Sequence, residues 1–104
     1  MPASFRMDRY VVDVLLRDLV SHDRSPSTFL VYFFLAAKCG STRNGRVSLS
    51  LADIADRTGL SKRAVQTALL RLRRRHLISS SQEHRTATPV HVVLRPWRPK
   101  KATN

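Results

Sequence analysis

LADIADRTGLSKRAVQTALLRLRRRHLI, residues Leu51 to Ile78, is the stretch on which the reading of this chain turns. Helical spacing puts Leu51, Ile54 and Ala55 on one face of a first helix over 51–58. Val65, Ala68, Leu69 and Leu72 form one stripe on a second helix over 62–76. The two stripes meet only if the helices cross steeply. Ala55 and Ala68 are small where they would approach, Gly59 suits the left-handed conformation that ends a helix, and Leu60 can plug the corner. The spacing therefore predicts a helix, a tight turn and a second helix.

Upstream of this stretch, Ser50 and Asp53 make a capping box for the first helix. Arg46 to Leu49 reads as a short strand with Val47 and Leu49 inward, and Ser41 to Gly45 as a turn. Gly40 is expected to end a core helix over 26–39, which Ser25 caps and Pro26 opens. That helix is apolar without interruption from Phe29 to Ala37, so it must be covered on every side. Two kinds of cover stand open, one intramolecular and one a homodimer through the 7–20 and 26–39 helices. Residues 7–20 form an amphipathic helix carrying Val11, Val12, Leu15, Leu16, Leu19 and Val20, although Tyr10-Val11-Val12 also suits the start of a strand. Residues 1–6 read as a flexible arm.

Downstream, a strand from Ile78 through Ser81 is expected to pair with Val90 to Arg95, in which Val92 and Leu94 face one side. The polar loop 82–89 lies between them. Pro89 suits the beginning of an edge strand, where no ladder hydrogen bond is lost. Residues 96–104 are a basic, proline-punctuated tail.

The 104 residues suffice for one domain with a single core, and the 42% apolar fraction is ordinary. The net charge of +12 is not, and residues 51–104 carry most of it. Such a field recruits polyanions, nucleic acid first among them. One cysteine, Cys39, excludes an internal disulfide framework and points to a reducing interior. No apolar run approaches membrane-spanning length and no leader pattern opens the chain, so a cytoplasmic protein is expected, without a membrane partner. His22, His76, His84 and His91 lack the spacing of a zinc site, and His84 and His91 read as a solvated pair across the loop. Glu83 is the sole glutamate, there is no nucleotide-binding glycine loop, and Ser79-Ser80-Ser81 lacks a base. An enzyme, a metal site and a cofactor are therefore not expected.

Ser61-Lys62-Arg63-Ala64-Val65, then Ala68-Leu69, Leu72 and Leu77-Ile78, resemble the second helix and first wing strand of winged helix-turn-helix DNA-binding domains. These domains occur in MarR-like and GntR-like bacterial regulators and in plasmid replication initiators. The resemblance spans about half the chain, more if the N-terminal helix is included, and combines stripe spacing, a turn glycine, a capping serine and a following strand. It departs from the family at His76, where glycine is common, placing a non-glycine residue where positive φ is expected. It implies a mainly α fold with a small β-wing, a winged helix-turn-helix over 7–95 with an extra N-terminal helix, its wing at 77–95.

On the second helix, the face opposite Val65, Leu69 and Leu72 carries Arg63, Gln66, Thr67, Leu70, Arg71 and Arg74. Arginine can grip guanine, glutamine adenine, and threonine the thymine methyl, each bidentate pair giving about 1–3 kcal/mol of discrimination. Lys62 and Arg63 occupy the first turn, where the helix dipole opposes cations by up to about 1 kcal/mol, and a phosphate at Ser61 would repair that mismatch. Arg71, Arg73, Arg74 and Arg75 also read as cations suited to a helix end, with at least one of them expected to meet phosphate. Thr42, Arg43, Arg46 and Arg57 are backbone-phosphate candidates, and Arg85 at the loop tip is a minor-groove candidate. Leu70 suits a base, a partner or a place beneath the wing. The expected function is sequence-specific binding of double-stranded DNA in transcriptional regulation. A replication-initiation module and a winged-helix protein-interaction domain are the alternatives.

Overall fold

In the computed structural model, which describes residues 4–98, the described residues form four helical elements and a three-stranded antiparallel sheet, against which the helices Pro26–Gly40 and Lys62–Arg74 pack. The chain enters through a helical stretch over 9–22 in which Val11–Leu15 and Asp18–His22 are wound as π-helix. The amides of Leu16 and Asp23 accordingly reach back five residues, to the carbonyls of Val11 and Asp18. Tyr10-Val11-Val12 is thus helical and starts no strand. Val11, Leu15 and Leu19, four residues apart, are the buried positions of this stretch.

The first α-helix, α1, spans Pro26–Gly40 and runs through the middle of the core with Thr28, Val31, Tyr32, Leu35, Ala36 and Cys39 buried. Pro26 holds the first position as expected, but the Ser25 side chain makes no cap bond to the backbone. Its hydroxyl pairs with that of Thr28 inside the protein instead. The helix includes Gly40, whose missing side chain leaves room for Phe5, the nearest atom of which would lie 3.2 Å from an added Cβ. Cover of α1 is incomplete, because Leu30 and Phe33 remain 47% and 42% exposed.

Strand β1, Arg46–Ser48, leads into α2, Leu51–Thr58, and α2 through Gly59 into α3, Lys62–Arg74. Strands β2, Ile78–Ser81, and β3, Val90–Val93, complete the sheet in the order β1-β3-β2. β3 is therefore the middle strand, not an edge. Pro89 lies just before it, where its carbonyl accepts from the Leu49 amide at 3.2 Å and its missing N–H interrupts no ladder. The buried residues of β3 are His91 and Val93, while Val92 and Leu94 are only half-buried.

His91 is not solvated. It is 2% exposed, with Nε2 3.2 Å from the Leu49 carbonyl and Nδ1 2.8 Å from Ser80 Oγ. A carbonyl can only accept, so Nε2 carries the proton and the Ser80 hydroxyl donates to Nδ1. Burial pushes the His91 pKa down despite the Leu49 bond that favours the charged form, and the Arg73 charge pushes the same way as burial.

The folded unit takes in residues on both sides of 7–95. Phe5 packs edge to face on Phe33 with ring centroids 6.3 Å apart. At the other end Trp97 stacks on Tyr10 at 4.5 Å and donates its indole N–H to Asp8 at 2.8 Å. Arg98 pairs with the same carboxylate, and that bond holds Asp8 below the usual carboxylate range. The remainder of the basic tail lies outside the described residues. No described helix is long and apolar enough to cross a membrane.

Candidate nucleic-acid interface

The position of α3 is set by its two ends. At the start, Gly59 takes φ +79, which a side chain would oppose, and its amide closes α2 on Ala55 at 2.9 Å. The Thr58 hydroxyl donates to the Ile54 carbonyl at 2.7 Å and accepts from the Leu60 amide at 3.3 Å, so the turn is bonded through its own side chain. Ser61 then caps α3, its oxygen accepting from Ala64 N at 3.1 Å. The capping box on α2 is present in both halves, between Ser50 and Asp53.

At the far end the chain leaves α3 through a left-handed residue, and that residue is His76, at φ +58. The Leu77 amide reaches the Leu72 carbonyl at 2.9 Å and the His76 amide the Arg73 carbonyl at 3.0 Å. This is the paired bonding of a Schellman ending, with Leu77 returning to the core as its hydrophobic partner. Histidine thus does what glycine usually does there, at a conformational cost of roughly 1–2 kcal/mol for a side chain in this region. Arg75, just before it, bridges Asp18 at 2.5 Å and Asp23 at 2.6 Å. Both bonds raise the arginine pKa; at Asp23 burial pushes the carboxyl up, but the bonds and charges of Arg75 and His22 together bring it below the usual carboxylate range. Arg75 therefore locks α3 to the N-terminal helical stretch.

Val65, Ala68, Leu69 and Leu72 are buried, so the opposite side of α3 faces outward. Every residue expected to meet DNA is exposed: Ser61, Lys62, Arg63, Gln66, Thr67, Arg71 and Arg74 on or capping α3, Thr42 and Arg43 in the turn before β1, Arg46 on β1, Arg57 on α2, and Arg85 in the loop after β2. Arg63, Gln66 and Thr67 share one shallow surface concavity with Leu70 and Arg73. Leu70, 42% exposed, belongs to this face and does not pack beneath the strands. Arg71 and Arg74 lie on the same helix but do not line the concavity.

Arg73, grouped by its sequence position with the other arginines at the helix end, is the one of that group that lines this concavity. It lines the α3 concavity and also a second cleft, shared with Leu51, Leu69, Ser80, Ser81, Gln82, Pro89 and His91. The spacing 63, 66, 70, 73 repeats at helical intervals and was the signal available for it. The loop carrying Arg85 is closed on itself by Gln82, whose amide donates to the Ala87 carbonyl at 2.6 Å and the Arg85 carbonyl at 3.2 Å.

The first turn of α3 holds Lys62 and Arg63 and no acidic residue, leaving the positive end of the dipole without a counter-charge from its own turn. The face can therefore offer guanidinium, carboxamide and hydroxyl groups to an anionic surface. Compared with known protein families, curated proteins and solved structures, the chain has no significant match.

Proposed function

We propose that this chain is a winged helix-turn-helix protein that binds double-stranded DNA in a sequence-specific manner and regulates transcription by occupying an operator. α3 enters the major groove, with Arg63, Gln66 and Thr67 toward base edges and Leu70 toward a thymine methyl. Ser61, Lys62, Arg71 and Arg74 meet phosphates along the helix, Arg43 and Arg46 meet the backbone from the β1 side, and Arg85 reaches the minor groove from the wing. The observation that carries this reading is the concavity on α3, where polar and basic side chains stand open to solvent while the valine and leucine side is buried.

The protein acts as a dimer on half-sites one helical turn apart, about 34–36 Å. Val12 and Leu16, four residues apart and exposed on the N-terminal helical stretch beside Asp13 and Arg17, supply a face whose charges of both signs suit pairing with a second copy. Selection of bound sequences from a random duplex pool tests the reading. One enriched motif is expected, and Arg63→Ala should change its composition without changing the fold. Recovery of no motif, with binding indifferent to salt, would remove it.

A further inference from the structure

The α1 helix presents a second open stripe whose chemistry does not suit DNA. Leu30, Phe33, Phe34 and Ala37 stand at i, i+3, i+4 and i+7, the row along which one helix receives another. With Arg57 and Thr58 of α2 they line one apolar groove. Phe29 stacks on Phe33 at 6.2 Å and Phe5 braces it from the other side, so Phe33 is a supported anchor. The charges at the groove have one sign: Arg57 is at its wall, Lys38 sits 5.6 Å over the Phe34 ring, and among the described residues no carboxylate lines it.

From this we propose that the groove between α1 and α2 docks an amphipathic helix of a partner protein, its apolar stripe against Leu30, Phe33, Phe34 and Ala37 and its acidic flank against Arg57 and Lys38. Charge selects this occupant. A second copy of a chain with net charge +12 would set Lys38 and Arg57 of each protomer against the same basic rim, whereas glutamate or aspartate would neutralise it. Duplex DNA is disfavoured because its backbone offers nothing to cover two half-exposed large hydrophobic side chains.

The test uses the full chain and two labelled synthetic peptides of about five helical turns. Both carry the same Leu/Phe stripe at i, i+3, i+4 and i+7, one with glutamates and the other with lysines on its flanks. Fluorescence anisotropy should show the acidic peptide binding at least tenfold tighter than the basic one. The double variant L30S/F33S should abolish binding, and R57E should weaken the acidic peptide and strengthen the basic one. DNA binding, measured in parallel, should be unaffected by L30S/F33S, so loss of the groove and loss of DNA reading register separately. Equal binding of the two peptides, or binding of neither, overturns the proposal. So does conversion of a dimer to a monomer by L30S/F33S in sedimentation, which would make the groove a self-interface.

Discussion

Two helices of this protein each leave one stripe open to water, and the stripes are chemical opposites. On α3 the row through positions 63, 66, 70 and 73 carries two arginines, a glutamine and one leucine, while on α1 the row through 30, 33, 34 and 37 carries only leucine, phenylalanines and alanine. Both rows have helical spacing and both lie opposite a buried stripe. Periodicity therefore tells where a helix is covered, and the residue types on the open side tell what it waits for. A polar row keeps its hydration until a charged groove replaces it, whereas an apolar row gains by losing water to any surface of matching shape.

The comparison breaks hardest if the buried side of α3 is not the structural side. Leu72→Ala removes a fully buried side chain and should cost about 2–5 kcal/mol in denaturant unfolding, while Arg63→Ala should leave the midpoint within about 0.5 kcal/mol. Similar losses from both would mean the two faces of α3 have been confused.

Salt separates the two stripes next. Raising salt from 50 to 200 mM should lower DNA affinity by roughly a thousandfold if six or so phosphates are neutralised, with a log-log slope near −0.9 per phosphate. Peptide binding in the α1 groove should fall far less, because apolar burial is not screened. The base-reading part is smaller: Arg63→Ala should lose about 1–3 kcal/mol of discrimination between preferred and scrambled duplexes, measured by competition. Equal loss on both duplexes would reassign Arg63 to the backbone.

Two weaker effects sharpen the frame that holds α3. His91 has its pKa lowered in the fold, so the unfolded chain takes up the proton first as pH falls below about 6.5. Stability should be full above that pH and decline toward the folded-state pKa, at no more than about 1.4 kcal/mol per pH unit. A His91→Gln variant should lose that slope, whatever its absolute stability. His76→Gly relieves the left-handed strain at the end of α3 and should raise stability by up to about 1 kcal/mol, partly offset by the glycine's greater freedom when unfolded. A lower melting temperature in His76→Gly would show that the imidazole makes an interaction worth more than the strain.

What the sequence disclosed follows the range of the forces involved. The Ser50–Asp53 box, the Ser61 cap and the left-handed Gly59 depend on residues within four positions of one another, and each was legible from spacing. The buried stripes of α2 and α3 were legible for the same reason. The middle place of β3 was not, because it depends on β1 pairing across some forty residues of intervening chain. His91 looked solvated because neither Leu49 nor Ser80 is a sequence neighbour. Arg75 looked like an ordinary cation at a helix end, since Asp18 and Asp23 reach it only after the fold has closed. Within the candidate interface, the outward side of Arg63, Gln66 and Thr67 was legible by counting turns, while Arg73 was not singled out because dipole complementarity supplied a sufficient local reason for every arginine at that helix end.

The Asp8 clasp reaches beyond the interface. With one carboxylate holding Trp97 and Arg98, residue 8 near one end of the described chain and residues 97 and 98 at the other lie side by side. A short linker joining them should close the chain into a ring without disturbing α3, and new ends opened in loop 82–89 would yield a circular permutant.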